Sequence, residues 1–309
     1  MRDLFQSEEF ARFLGETGFL EPFRYVVERK GRVVASIQGF IQKDGGRLKR
    51  FFSRRAIVNG GPFLAEDVTD QELECLLENS KKSLRGKAIY LETRNYRDFA
   101  RFRPVFERCG FVYDPHYDFQ VRTDSLETAE QNLGKSRKRD IKYSLNNGAL
   151  VIDNPTPRQI AAFYSLLEAL YREKVRTPLF PLDFFLKLSR TAFSKFLLVG
   201  LGEEIIGGTV CVHDDETVYE WFACGKDGVY KNVFPSTLAT WSGIRFAAEN
   251  GFVRFDMMGA GAPGDGGYGV REFKAKFGGE LVEYGRFKYI LNKPLYALGK
   301  KGVQWMKKR

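Results

Sequence analysis

Residues 230–257 have the sequence YKNVFPSTLATWSGIRFAAENGFVRFDM, which is the most informative stretch about the architecture of this chain. Pro235 suits the first turn of a helix, where the N–H that proline lacks has no partner to lose. The apolar spacing that follows predicts an amphipathic helix over 235–250, and Gly251 fits the left-handed residue that ends it. Residues 252–257 are typical of a strand. The sequence therefore predicts a glycine-capped helix that leads directly into a strand.

Elements of these two kinds occur in a similar order in both halves of the chain. Apolar spacing and turn residues predict, in the first half, elements over 4–14, 23–28, 33–37, around Phe51 and Phe52, 69–84, 88–92, 98–108 and 111–121. In the second half they predict elements over 126–147, 151–152, 156–172, 181–188, 196–201, 205–213, 217–223, 235–250, 252–257 and 281–289. This duplicated order predicts an α/β (α+β) protein with two lobes, each containing mixed, mostly antiparallel strands.

Charge and composition restrict the classes of function. The chain has 309 residues, a formal net charge of +10 and only two histidines, His116 and His213. The positive charge favours an anionic partner such as a nucleic acid, a nucleotide, a phosphorylated substrate or a membrane surface. Two histidines exclude a His-rich metal site and disfavour a His-based triad. The remaining candidates for catalytic groups are carboxylates, lysines, backbone groups and the substrate itself.

The sequence favours a cytoplasmic protein. No run approaches the roughly 20 apolar residues that span a bilayer. The first ten residues become polar and acidic too early for a signal peptide. The four cysteines form no CxxC pair, and we expect all of them to be buried thiols that pack as small apolar side chains.

A series of short motifs, in order along nearly the whole chain, resembles the FemABX family of peptidoglycan-bridge aminoacyltransferases and FemAB-like members of the GNAT superfamily. The motifs are FQS at 5–7, GGP at 60–62, RKRDIK at 137–142, YKNVFP at 230–235 and GVREFKAKFGGE at 269–280. The ordered series is more specific for the superfamily than for a substrate.

The resemblance implies two tandem GNAT-like (acyl-CoA N-acyltransferase-like) lobes, over 1–125 and 126–292, with the reaction cleft in the second. A basic C-terminal helix over 293–309 would pack on the first lobe. Family members transfer an amino acid from aminoacyl-tRNA to the amine of a lipid-linked or nucleotide-linked muropeptide. The resemblance thus implies tRNA as the donor partner, such an acceptor, and no tightly bound cofactor.

Lys274 is the first candidate for a catalytic role. Aminolysis of an activated ester needs an amine that loses a proton, a stabilised oxyanion and two substrates held together. Lys274 matches the family lysine proposed to stabilise the donor and its developing charge. The same resemblance places Lys231, Asn232, Arg271 and Phe273 among the substrate-contacting positions. The alternative is that the cations of this segment are a solvated basic face.

Arg172, beside Tyr171, resembles an acceptor-binding arginine of the family, and Arg176 competes for that role. An arginine suits the bidentate grip on a phosphate or carboxylate, whereas a helix-terminal arginine can simply complement the helix dipole. Phe222 falls where the family usually has a substrate-contacting tyrosine, and Leu14 stands near an acceptor-binding lysine of some members. These two departures suggest a different acceptor.

Two carboxylates are candidates for acid–base chemistry. Asp256 ends a strand beside the glycine-rich loop 259–267 and is placed either to orient or deprotonate an amine or to cap the loop through its backbone N–H groups. Glu92, on a strand of the first lobe, maps near an acidic family position and is the weaker candidate.

The alternatives differ in the donor. GNAT enzymes that use CoA bind its pyrophosphate with a glycine-rich turn between strand and helix, and residues 225–235 lack that glycine spacing. An acyl-CoA or acyl-carrier N-acyltransferase is therefore the second hypothesis. A non-catalytic RNA- or membrane-binding scaffold is the third. The basic, amphipathic residues 293–309 would then dock on the first lobe, contact anionic lipid at the inner membrane face or meet tRNA phosphate.

Overall fold

The computed structural model describes residues 3–43, 53–264 and 269–307. The strand expected around Phe51 and Phe52, loop residues 265–267 and the last two tail residues lie outside this part of the chain. The chain forms two compact units. We call Arg2–His116 with Glu283–Arg309 the first lobe, and Tyr117–Val282 the second lobe.

The elements alternate along the chain much as the sequence predicts. The helices are α1 (Glu8–Glu16), α2 (Asp70–Leu84), α3 (Arg103–Arg108), α4 (Leu126–Asn132), α5 (Lys135–Asn146), α6 (Pro157–Leu170), α7 (Leu182–Leu188), α8 (Pro235–Glu249), α9 (Gly269–Ala275) and α10 (Lys293–Lys307). The strands are β1 (Glu21–Arg29), β2 (Arg32–Gln42), β3 (Arg55–Gly60), β4 (Phe63–Leu64), β5 (Tyr90–Asn95), β6 (Val112–Asp114), β7 (Tyr117–Arg122), β8 (Ala149–Ile152), β9 (Ser194–Leu201), β10 (Glu204–His213), β11 (Thr217–Gly225), β12 (Arg254–Asp256), β13 (Glu280–Glu283) and β14 (Arg286–Ile290).

The first lobe has a sheet in the order β1-β2-β3-β5-β14-β6, with β4 paired to β2. The β1–β2 hairpin is closed by Lys30 and Gly31, which both have positive φ, as a two-residue turn between twisted strands requires. Helix α2 begins with a capping box, in which Thr69 and Glu72 exchange hydrogen bonds with each other's backbone N–H. Its leucines pack into the apolar core against one face of the sheet.

The second lobe has a sheet in the order β13-β7-β12-β11-β10-β9-β8. Strands β11 and β12 are parallel, while β10 is antiparallel to both of its neighbours. Helix α8 lies in the core, with 10 of its 15 residues buried. It is therefore buried around most of its surface rather than on one face as predicted, and Gly251 ends it with a φ of 77°. The two mixed sheets confirm the predicted fold class.

Two segments predicted as single strands are each two strands in different sheets. Residues 111–121 form β6 and β7, and residues 281–289 form β13 and β14. Proline lacks a ladder N–H, and Pro115 lies between the first pair. The second pair is interrupted by Gly285, with a φ of 61°. The lobes therefore divide at 116/117 and 282/283, not at the expected 125/126 and 292/293.

Two smaller expectations are also corrected. The helix predicted over 126–147 is broken into α4 and α5 at Gly134, whose N–H donates to the Lys276 carbonyl oxygen at 2.9 Å. Cys75 is exposed, whereas Cys109, Cys211 and Cys224 are buried. Within the described residues no helix is long and apolar enough to cross a membrane.

Candidate active site

The centre of the second lobe contains a fork between two parallel strands. Strand β11 pairs with β12 only from Thr217 to Tyr219, opposite Arg254–Asp256. There β12 ends, whereas β11 continues to Gly225. Beyond Tyr219 and Asp256, the two chain segments are therefore no longer paired and diverge. We call this place the fork, and the side chains that meet there are the candidate active site.

Lys274, on α9, binds the backbone that leaves β12. Its ammonium donates to the carbonyl oxygens of Met257 at 2.5 Å and Gly259 at 3.0 Å, and also to that of Met258. A protonated lysine has three N–H donors and a neutral one has two. Three carbonyl acceptors therefore match the charged form of this half-buried side chain.

Three buried carboxyl groups act electrostatically on Lys274, one from each of three neighbouring strands: Asp118, Glu220 and Asp256. The two oxygens of Asp256 accept hydrogen bonds from the Gln120 amide at 2.9 Å and from the Met258 N–H at 2.7 Å. Asp256 therefore caps the turn after its own strand, which was the second of the two roles considered for it.

Glu220 is held by two hydroxyl groups. Thr240 on α8 donates to its Oε1 at 2.8 Å. The Thr209 hydroxyl on β10 lies 3.3 Å from the same oxygen and 3.3 Å from the Phe222 carbonyl oxygen, so its one proton is shared between these two acceptors. The residue is 7% exposed. One carboxyl oxygen is thus fixed from two neighbouring elements.

Burial and charge oppose each other throughout this cluster. Burial lowers the pKa of Lys274, and Glu220, Asp118 and Asp256 partly offset that effect. Burial raises the pKa of Glu220, and Lys274 together with the two threonine hydroxyls opposes the rise. Burial likewise raises the pKa of Asp256 against its hydrogen bonds and Lys274. Titratable groups perturbed in this way are characteristic of functional sites.

Arg271 and Phe273, on the same helix as Lys274, contact other residues of the second lobe. Arg271 donates to the carbonyl oxygens of Ala260 at 3.0 Å and Ala262 at 2.6 Å, so it holds the loop that follows β12. The Phe273 ring packs under the buried Arg137 guanidinium at 4.3 Å. Both residues predicted to contact substrate are therefore engaged by the protein itself.

Tyr171, Arg172 and Arg176 meet at a pocket beyond the end of α6. The last turn, Tyr171–Val175, is a π-helix that ends on Arg176 with a left-handed φ of 54°, a feature often found at functional sites. The pocket has a volume of about 310 Å³ and is lined by Tyr164, Glu168, Tyr171, Arg172, Arg176, Thr177 and Leu179. The structure thus brings the predicted acceptor-binding residues together.

The other predicted residues are dispersed. Phe222 is buried, with its ring 4.9 Å from Phe185 and 6.5 Å from Tyr171. Lys231 and Asn232 are exposed in the turn before α8, where Asn232 has a positive φ. Leu14 is fully buried in the first lobe and cannot replace a ligand-binding lysine.

Glu92 lies in the first lobe as the centre of an ion cluster. Its carboxylate is 2.8 Å from Lys288, 3.1 Å from Arg94 and 4.0 Å from Arg286. Burial alone would raise the pKa of Glu92, but these three cations bring it to about 2. At neutral pH the group is an anion that balances charge on the sheet.

We expect Glu92 to make the first lobe acid-sensitive. Because its folded pKa is depressed, its contribution is complete above the unfolded value of 4.5 and is lost as pH falls towards about 2. The total is about 3 kcal/mol, of which about 2 kcal/mol is lost between pH 5 and pH 3. Urea unfolding at the two pH values should show this loss in the wild type and not in Glu92→Gln. Glu107→Gln, which removes an exposed carboxylate of α3, should behave like the wild type; parallel losses in all three proteins would contradict the assignment.

Sequence reasoning missed Glu220 and Asp118, together with the hydroxyls that hold Glu220. A usable signal was present, because Glu220 is a charged residue inside the otherwise largely apolar strand TVYEWFACG over 217–225. Charged residues are rarely buried without a partner or a function.

The comparisons with known proteins agree with this architecture. The model of the FemAB family matches residues 193–301, which include α8, α9 and the whole of the fork. No curated protein sequence matches the chain significantly.

Similar solved structures extend over nearly the whole chain. FemX has 15% identity and a TM-score of 0.72, covering 96% of this chain and 94% of its own. The C-terminal DUF2156 domain of a predicted lysylphosphatidylglycerol synthetase from Agrobacterium fabrum has 13% identity and a TM-score of 0.63, covering 98% and 92%. A tandem GNAT protein from the clavulanic acid biosynthesis pathway has 11% identity and a TM-score of 0.53, covering 89% and 84%.

These findings confirm the two GNAT-like lobes and the resemblance that the motifs indicate. The family match covers the segment with the strongest motifs, and the FemX fold covers both lobes. Residues 193–301 are therefore similar to the FemAB family, and the chain shares the fold of FemX over both lobes.

Proposed function

We propose that this protein is an aminoacyltransferase that moves an amino acid from aminoacyl-tRNA to the amine of a peptidoglycan precursor or a lipid-linked acceptor. The FemAB match supports an acyl- or aminoacyltransferase. The charged Lys274 at the fork supports chemistry in which negative charge develops on a substrate.

The reaction follows from the chemistry of an ester and an amine. The acceptor amine attacks the ester carbonyl of the donor, a C–N bond forms, and the carbonyl oxygen becomes an oxyanion. The ester C–O bond then breaks, and the proton lost by the amine ends on the ribose hydroxyl of the released tRNA. A fixed positive charge beside the oxyanion stabilises this intermediate, and we assign that charge to Lys274. No covalent enzyme intermediate is needed.

The backbone N–H groups at the start of α8 favour aminoacyl-tRNA over CoA as the donor. In a CoA-dependent GNAT lobe, free N–H groups at this helix start bind the pyrophosphate. Here the Phe234 N–H donates to the Ser144 hydroxyl at 2.9 Å, and Pro235 has no N–H. The Ser236 N–H donates to the Asp227 carboxylate at 3.1 Å. The N–H groups that would bind a pyrophosphate are thus already bonded to side chains of the protein, and Asp227 adds a negative charge that repels a pyrophosphate.

The pocket at the end of α6 supports an anionic acceptor. Arg172 and Arg176 both line it, and guanidinium groups bind phosphate or carboxylate in bidentate fashion. A nucleotide or lipid phosphate linked to the acceptor supplies that anion. We assign the acceptor to this pocket and its amine to the fork.

The location of the reaction is part of the same proposal. We place the protein in the cytoplasm, with peripheral membrane contact through the C-terminal helix when the acceptor is lipid-linked. Helix α10 belongs to the first lobe, where Tyr296 packs on Tyr90 at 5.9 Å. Leu298 on the same helix is 57% exposed, which supports contact with a lipid surface.

The donor is tested by parallel incubations with the two candidate donors. The protein is incubated with tRNA charged with radiolabelled amino acids, or with labelled acetyl-CoA. The acceptors are UDP-linked muramoyl pentapeptide and vesicles that contain phosphatidylethanolamine. We expect an amide product, identified by its mass, from charged tRNA and none from acetyl-CoA. Uncharged tRNA and ribonuclease-treated charged tRNA are the controls. Acylation by acetyl-CoA with no product from charged tRNA would overturn the proposal.

A further inference from the structure

Glu220 is a buried acid that no step described above uses. It lies inside β11 and is 7% exposed. Burying a carboxyl group away from water is costly unless hydrogen bonds and an opposite charge compensate for it. The surroundings of Glu220 provide both.

The position of Glu220 is set by the strand register. Tyr219 is the last residue of β11 that pairs with β12, where it lies opposite Asp256. Glu220 is therefore the first residue of β11 on the open side of the fork. The hydroxyls of Thr240 on α8 and Thr209 on β10 lie within hydrogen-bond distance of its Oε1, so a helix and a neighbouring strand fix the carboxyl group.

Lys274 lies at the fork on the β12 side, because its ammonium binds the backbone directly after Asp256. Its three N–H groups donate to the carbonyl oxygens of Met257, Met258 and Gly259, and carbonyl dipoles alone do not neutralise its charge. The carboxyl groups that act on it are Glu220 on β11, Asp118 on β7 and Asp256 on β12. Both carboxylate oxygens of Asp256 accept hydrogen bonds, one from Gln120 and one from Met258. The hydrogen bonds of Glu220 go to a single oxygen, Oε1.

We propose that Glu220 is a positioning residue whose negative charge keeps Lys274 protonated at the fork. Together with the carbonyl oxygens after β12, it fixes an ammonium group where the donor ester reacts. The electrostatic part of this inference stands without the proposed function, while its catalytic consequence rests on it. The hydroxyls of Thr209 and Thr240 hold the Glu220 carboxylate in place for this interaction with Lys274.

The test is the titration of Lys274, measured by NMR on protein labelled with ¹³C at the lysine ε-carbons. Loss of one signal in Lys274→Arg assigns the resonance. In Glu220→Gln the midpoint should move to lower pH by about one unit, because a nearby opposite charge is lost. Glu220→Asp keeps the charge, so the midpoint in this variant should stay close to that of the wild type. Glu204→Gln, an exposed acid at the start of β10, should leave the midpoint unchanged.

Two further outcomes keep the inference open to refutation. If Glu220→Gln does not fold, Glu220→Leu removes the same charge with an apolar side chain of similar size and should give the same shift. An unchanged or higher midpoint in a folded neutral variant overturns the proposal. This result does not depend on transfer activity. Where transfer is measurable, its alkaline limb should also move to lower pH in Glu220→Gln; failure of the donor experiment alone leaves the titration result standing.

Discussion

Lys274→Ala is expected to lower kcat for amide formation by about 10²- to 10³-fold, the usual cost of removing one group that stabilises an oxyanion. The ammonium is held by three carbonyl oxygens and faces three buried carboxyl groups. Its positive charge is therefore fixed before the substrate arrives and acts on the oxyanion electrostatically. Single-turnover rates with saturating charged tRNA and acceptor measure this effect.

The same substitution also disturbs the structure, and the two effects must be separated. Without the ammonium, the carbonyl oxygens of 257–259 lose their donor and the acids lose their counter-charge. Lys274→Met keeps most of the length of the side chain without its charge, so it should lose as much activity as Lys274→Ala. Lys276 is an exposed lysine directly after the same helix, and Lys276→Ala should keep wild-type rates. If folded Lys274→Met transfers within about threefold of the wild type, the charge has no catalytic role.

Local signals in the sequence were sufficient for most of the fold. The hairpin around Lys30 and Gly31, the capped helix after Thr69 and the end of α8 at Gly251 each depend on residues close together in the chain. The two segments that cross between lobes were predicted wrongly. Their alternation is that of a strand, and periodicity does not reveal that a strand changes sheets. Only the pairing partners separate β6 from β7 and β13 from β14.

The candidate site was predicted in part, for a related reason. Lys274 and the arginines after α6 were found because motifs resemble those of a family. Glu220 and Asp118 lie on strands that are distant in sequence and meet Lys274 only through the strand order. Burial of a polar cluster is a property of the assembled sheet. The sequence of each strand shows only that a charged residue is present, not that it is buried beside Lys274.

Gly278→Ala is expected to destabilise the second lobe by about 2–5 kcal/mol. Gly278 has a φ of 81°, and a Cβ added there would lie 2.1 Å from the Asn132 carbonyl oxygen and 2.6 Å from its carbon. The left-handed backbone costs an alanine about 1–2 kcal/mol, and overpacking against backbone adds about 1–3 kcal/mol. The residue joins α9 to β13, so relief of the clash would also displace the helix that carries Lys274.

Gly251→Ala provides the matched control, because it separates backbone conformation from contact. Gly251 has a φ of 77° with no atom within 4 Å of an added Cβ, so it should lose only the conformational part, about 1–2 kcal/mol. Urea unfolding followed by tryptophan fluorescence measures both variants. Trp221 and Trp241 lie in the second lobe, and a Trp305→Phe background removes the third tryptophan of the chain. Equal losses in the two variants would mean that Asn132 moves aside without cost. A larger loss in Gly278→Ala, with a matching fall in transfer rate, would show that the close contact between Gly278 and Asn132 holds α9 and its lysine at the fork.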